Sequence, residues 1–186
     1  MKEAENVLRI LKETEQAIKQ NDSYKLNNLS NQTIHSATIS QDTDNIIVAV
    51  LVYALSKIIE RENYKSMEGW DKFYLDLLKN LDLSIKYLEK KNLDDFRDRI
   101  GEIRNSINNI SSDLREYIKD VFRKAEINKA FKIYEHGLSF AQTAELLGIS
   151  LWDLSSYIGQ TNISEAKIAQ SMPEKERIKI AEEIFS

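Results

Sequence analysis

The chain has 186 residues, of which 42% are hydrophobic and 30% charged, and its formal net charge is −4 at pH 7. This composition is that of a folded protein, and the length suffices for one domain or for one domain plus a small module. The absence of Cys excludes disulfides, a thiolate nucleophile and Cys-ligated zinc or iron–sulfur sites. Five Gly and one Pro favour long helices over sheets, because sheets and long loops need those residues at turns.

The N-terminal region predicts a cytoplasmic protein that begins with helices. Residues 1–20 are charged throughout and lack the apolar core of a signal peptide, and the absence of Cys fits a reducing compartment. Apolar residues at helical spacing predict a first amphipathic helix: Ala4, Val7, Leu8, Leu11 and Ile18. A turn over residues 21–23 leads into a second predicted helix over 24–35.

The most apolar stretch, residues 46–55, predicts a buried central helix. A membrane span needs about 20 apolar residues, so we predict no membrane insertion. Polar residues 36–44 precede this stretch and offer caps for it. A fourth amphipathic helix is predicted from Trp70 to about residue 90, after a break over 62–69.

The clearest periodicity follows residue 92. Apolar side chains alternate spacings of three and four, as in a heptad seam: Leu93, Phe96, Ile100, Ile103, Ile107, Ile110 and Leu114. One long helix fits this pattern, whereas Ser111-Ser112-Asp113 fits the start of a second helix. Four amphipathic helices upstream need a partner face, which favours a seam inside an antiparallel bundle. A homo-oligomer formed through the face of residues 93–122 is the alternative.

Residues 140–158 predict a helix-turn-helix. Ala144 is small where two helices cross, Gly148 allows a tight turn, and Leu154 returns to the core from the second helix. Ser150 is suited to cap that second helix.

We therefore predict an all-α fold with two domains. Residues 1–132 form an N-terminal helical bundle, and residues 133–186 form a C-terminal helix-turn-helix module with a final docking helix after Pro173.

The charge of this module disfavours nucleic acid as a partner. Residues 133–166 contain no Lys or Arg and four acids, which accounts for the whole net charge of −4: Glu135, Glu145, Asp153 and Glu165. A helix that reads DNA needs cations around it to neutralise phosphates. The predicted outward positions of the second helix instead form a partner-binding surface: Leu151, Trp152, Asp153, Ser155 and Ser156. Trp is enriched at the energetic centres of protein interfaces, but burial of Leu151 and Trp152 within the chain is slightly favoured, because the helix after Pro173 must dock somewhere.

A cationic stripe farther upstream carries the alternative of a DNA-binding transcriptional regulator. Its candidate phosphate contacts follow one helix face: Arg115, Lys119, Arg123 and Lys124. Lys129 and Lys132 continue the run. Acidic neighbours three and four residues away favour an ordinary solvated helix face instead.

Evidence for chemistry is weak. His35, Asp42 and Asp44 are a candidate divalent-metal set, but the acids are also the expected caps of the following helix, and we favour capping. No Gly-rich phosphate loop, HExxH, GxSxG or CxxC pattern occurs. We predict a non-enzymatic protein without a cofactor.

The segment from Ala144 to Leu154 resembles the helix-turn-helix portion of prokaryotic antitoxins that are paired with nuclease toxins. The shared residues are Ala144, the run 147–150, the aromatic Trp152 followed by an acid, and Leu154. The resemblance covers about 20–30 residues and implies binding and inhibition of a partner protein, sometimes with operator binding. The leading hypothesis is a regulatory or adaptor protein whose helix-turn-helix contacts a protein, such as a nuclease toxin.

Overall fold

The computed structural model describes the backbone of residues 1, 3–40, 42–110, 113–135, 138–147 and 149–160, and their side chains except those of residues 38–40, 140, 146, 153 and 157–160. Regular structure in this part of the chain is entirely helical, which confirms the all-α prediction. No helix among these residues is long and apolar enough to cross a membrane.

The described residues form eight α-helices joined by short connections. These are α1 (Ala4–Lys19), α2 (Ser23–Ser40), α3 (Thr43–Ile59), α4 (Trp70–Glu89), α5 (Leu93–Ser106), α6 (Asp113–Glu135), α7 (Phe140–Leu147) and α8 (Leu151–Gln160). Short 3-10 helices lie at Glu62–Ser66 and Ile107–Asn109. Met1–Leu154 forms one compact unit and a second begins at Ser155, so the predicted boundary near residue 132 lies inside α6 and within the first unit.

Helix α3 lies at the centre of the core because apolar side chains occur on nearly all its sides rather than on one stripe. Val48 and Leu55 are fully buried. Helix α2 packs closely on α3 through small side chains, since Ala37 and Ala49 are also fully buried. The Ser30 hydroxyl donates to the Ala49 carbonyl oxygen at 2.7 Å, so the buried serine is satisfied by the neighbouring helix.

Helix α2 is longer than its sequence pattern predicts. It was expected to end at His35, and residues 36–44 were expected to cap α3, but α2 continues to Ser40. Ile34 and Ala37 extend its buried stripe against Ile46 and Ala49 of α3. Packing on α3 therefore outweighs the weak helix propensity of the Ser- and Thr-rich sequence.

Three helices end with the same type of hydrogen bond, from a backbone N–H to the carbonyl oxygen of the residue five positions earlier. The bonds join Asp22 to Ala17 at 2.8 Å, Asn92 to Tyr87 at 3.0 Å and Ile149 to Ala144 at 3.1 Å. This is the Schellman ending, in which the residue before the donor takes a left-handed conformation. Asn21 and Lys91, both at φ 57°, hold that place in the first two cases. In the third case the residue before the donor lies outside the described part of the chain.

The heptad pattern forms two helices rather than one. Helix α5 ends at Ser106, and α6 begins at Asp113 after the 3-10 turn at Ile107–Asn109. Leu93 is half-buried, and the other side chains of the seam are at most 6% exposed: Phe96, Ile100, Ile103, Ile107, Ile110 and Leu114. Helix α5 packs on α4, so the chain's own helices cover the face that the alternative assigned to a homo-oligomer.

Candidate functional site

The first turn of α8 exposes two large apolar side chains. Trp152 is 79% exposed and Leu151 51% exposed, whereas Leu154 is fully buried. Two residues of α-helix turn by about 200°, so Trp152 and Leu154 lie on opposite faces of α8. Ser155 is exposed and Ser156 half-buried, and the side chain of Asp153 lies outside the described residues. The structure thus places Leu151 and Trp152 at the surface, as the partner-binding interpretation requires.

Helix α7 directly precedes α8, and hydrogen bonds cap both of its ends. The backbone N–H of Gln142 donates to the Ser139 hydroxyl at 3.2 Å, and the backbone N–H of Ser139 donates to the side-chain oxygen of Gln142 at 3.2 Å. This reciprocal pair is a capping box, which the sequence analysis missed although its Ser-x-x-Gln spacing is visible. Ala144 is 4% exposed, in keeping with its predicted place where helices cross.

The cationic stripe of α6 is paired locally with acids of the same helix. Arg115 lies 3.1 Å from Glu116, and Lys124 lies 2.7 Å from Asp120. Lys119 lies 3.8 Å from Glu116. Arg123 is exposed but also takes part in an interaction. These contacts agree with the interpretation of the stripe as a solvated helix face.

Lys129 was placed in that stripe, and this was wrong. Its side chain is fully buried, with Nζ 3.0 Å from the side-chain oxygen of Asn31 and 4.3 Å from the centre of the Tyr53 ring. No carboxylate of the described residues pairs with it. Burial, helped by repulsion from Lys132, lowers the pKa of Lys129 to about 8. Lys129 belongs to the interior between α2, α3 and α6.

The two acids of the candidate metal set make hydrogen bonds and ion pairs within the protein. The Asp42 carboxylate accepts from the Asp44 amide at 3.0 Å and caps α3, as the favoured interpretation predicts. The Asp44 carboxylate accepts two bonds of 2.9 Å from Arg97, and it lies 3.8 Å from the Met1 amino group. His35 is exposed. Among the described residues, no group of three His, Cys, Asp or Glu side chains is placed to hold a metal ion.

Comparisons of the chain with family models, curated proteins and solved structures find no match.

Proposed function

We propose that this chain is a non-enzymatic regulatory protein that binds a protein partner through α8. In this proposal α7 and α8 form a helix-turn-helix, and Leu151 and Trp152 are the anchors of the interface. The proposal extends the antitoxin resemblance of residues 144–154 to a shared role, the binding and restraint of a partner.

The exposure of Leu151 and Trp152 carries the proposal. A tryptophan that is 79% exposed beside a half-exposed leucine is an unfavourable use of apolar surface in an isolated protein. Burial of both side chains against a partner would release water from that surface, which favours association. The Ile149–Ala144 hydrogen bond orders the connection that leads into α8, which lowers the entropy that such binding costs.

Charge indicates the class of partner. The four acids and absent cations of residues 133–166 complement a basic protein surface. Proteins that act on nucleic acid carry such surfaces, because they must neutralise phosphates. We therefore propose a basic, nucleic-acid-processing protein, of which a nuclease toxin is one example.

The test begins by identifying the partner and then measures its affinity. Cross-linking from a photoreactive side chain at the exposed position 155, which leaves Leu151 and Trp152 in place, identifies the bound protein in the source cells. Calorimetric titration then compares the parent chain with the Leu151→Ala/Trp152→Ala variant. We expect the variant to lose affinity by about 30-fold or more, since central aromatic anchors contribute about 2 kcal/mol or more. Binding by the parent should also weaken as salt rises.

A matched variant separates this site from general loss of apolar surface. Tyr24→Ala/Leu75→Ala removes two side chains that are 76% and 67% exposed on other helices. It should bind the partner with the parent's affinity. The proposal fails if Leu151→Ala/Trp152→Ala keeps its fold and its affinity, or if nucleic acid is captured in place of protein.

A further inference from the structure

An apolar groove lies between α3, α5 and α6. Its walls are formed by Ile47, Val50, Leu51, Ile100, Phe122 and Leu147, and its volume is about 280 Å³. Ile47 is 44% exposed, although most of α3 is buried, so the groove is where the central helix reaches the surface. Leu147 is the last residue of α7, which places the groove beside the α7–α8 connection.

A basic pocket adjoins one end of this groove. It has a volume of about 280 Å³ and contains three cations and one acid: Arg104, Lys119, Arg123 and Glu126. Asn105 and Asn108 add side-chain amides to its lining. Arg104, Phe122 and Glu126 line both the pocket and the groove, so the two lie side by side.

Arg104 and Lys119 keep N–H donors for a ligand. Arg104 donates through Nη2 to Glu126, but a guanidinium has five N–H donors in all. Lys119 has three donors, and its contact with Glu116 is long at 3.8 Å. An anion placed toward Lys119 and the two asparagines would therefore meet cations and amides rather than the Glu126 carboxylate.

We propose that the groove and pocket together bind a single-chain amphiphile with an anionic headgroup, of the medium-chain carboxylate class. The chain would lie against Ile47, Ile100 and Phe122, and the carboxylate would bind Lys119 and the two asparagines. Apolar walls with a few polar groups at one end are typical of small-molecule sites, and about 280 Å³ is small for such sites. This site is distinct from the partner surface on α8.

The groove also continues in the other direction, toward the N-terminal end of α5. This extension has a volume of about 200 Å³ and runs past Phe96 and Gly101 to the Asp44–Arg97 ion pair. A Cβ atom at Gly101 would meet nothing within 4 Å, so open space lies beside the helix there. The extension gives room for the end of the chain of the amphiphile.

Calorimetric titration of the full chain with dodecanoate, below its micelle concentration, tests the proposal. We expect saturable binding. Lys119→Gln should weaken it about tenfold or more, because hydrogen bonds to a charged group are lost. Ile47→Glu should have an effect of about the same size, because it puts a charge against the apolar chain. Dodecyltrimethylammonium, with the same chain and a cationic headgroup, should bind far more weakly.

Two variants on α4 serve as controls, and both should bind dodecanoate as the parent does. Lys72→Gln/Lys79→Gln removes two exposed cations, and Leu75→Glu puts a charge at an exposed apolar site. The proposal is overturned by absence of saturable binding, by equal binding of the two dodecyl compounds, or by acetate binding as tightly as dodecanoate. It is also overturned if Ile47→Glu leaves dodecanoate binding intact but abolishes binding of the protein partner, which would assign the groove to a polypeptide.

Discussion

The burial of Lys129 is explained by its position on α6. Val121, Ala125 and Ile133 are also buried, and Lys129 continues their spacing of four residues. A lysine on the apolar stripe of a helix is held there by its long aliphatic stem, while its amino group needs a partner. Asn31 and the ring of Tyr53 supply that partner without a negative charge. The folded protein therefore favours the neutral amine more than water does.

We expect this burial to make stability depend on pH. The pKa of Lys129 falls from 10.5 to about 8 on folding, so between these values the unfolded chain binds more protons. The destabilising effect of Lys129 on the free energy of unfolding should be largest below pH 8. It should shrink by roughly 3 kcal/mol as pH approaches 10.5. Urea unfolding across this pH range gives the free energy of unfolding of the parent and of Lys129→Met, which has no titrating group at position 129. The difference between the two free energies should change with pH.

Lys124→Met is the matched control, since Lys124 is on the same helix and its side chain is 69% exposed. The difference in the free energy of unfolding between Lys124→Met and the parent should stay nearly constant over the same pH range. Parallel curves for the parent and Lys129→Met would show that the ammonium is not destabilised by burial.

The sequence contained the information needed to place Lys129 but not Asp44. Apolar spacing around Lys129 marks a buried face, and local charge pairing alone led to its assignment to the solvated stripe. Asp44 was correctly expected near the start of α3, yet its partner Arg97 is 53 residues away. Nothing in a local pattern indicates that these two side chains meet.

At the scale of helices, the Asp44–Arg97 ion pair links α3 to α5. Nε and Nη2 of Arg97 each lie 2.9 Å from a different oxygen of Asp44, a bidentate arrangement. The Asp44 side chain is only 10% exposed, although that of Arg97 is 49% exposed. This contact raises the pKa of Arg97, through the hydrogen bond first and the charge second, so Arg97 stays charged.

A double-mutant cycle should detect this link. Asp44→Asn, Arg97→Gln and the double variant should give a coupling energy clearly above zero in urea unfolding, because the Asp44 side chain is screened from water. The pair Asp82–Lys86 is the comparison, since both side chains are exposed and lie on one helix. Its cycle should give a coupling energy several times smaller. Equal coupling in the two cycles would contradict a stabilising bridge between α3 and α5.

For the whole molecule, helical periodicity predicted the all-α fold and the faces that are buried, because both depend on residues close in sequence. The seam from Phe96 to Leu114 is an example, and its side chains are buried as expected. The end of α2 and the groove beside Ile47 were missed, because they depend on which helices meet. Trp152 was predicted only in part. The sequence identified it as a candidate interface residue, and the structure shows that its side chain is exposed.

The distribution of charge over the molecule bears on the alternative of a DNA-binding regulator. The net charge of −4 falls in residues 133–166, the region that would have to approach a duplex. The stripe of α6 offers cations, but Arg115 and Lys124 already contact acids of their own helix. Phosphate binding would have to compete with these pairs and with the repulsion of the acidic module.

We therefore expect weak DNA binding, with a Kd above about 10 μM for a 20-base-pair duplex near physiological salt. Fluorescence anisotropy at about 50 and 200 mM salt measures it, and the variant Arg115→Glu/Lys119→Glu/Arg123→Glu tests the stripe. Tighter binding that falls steeply with salt and disappears in this variant would favour the transcriptional regulator over the protein-binding function. Unchanged weak binding by the variant would leave the stripe as a solvated face, because phosphate contacts there would have contributed both affinity and salt dependence.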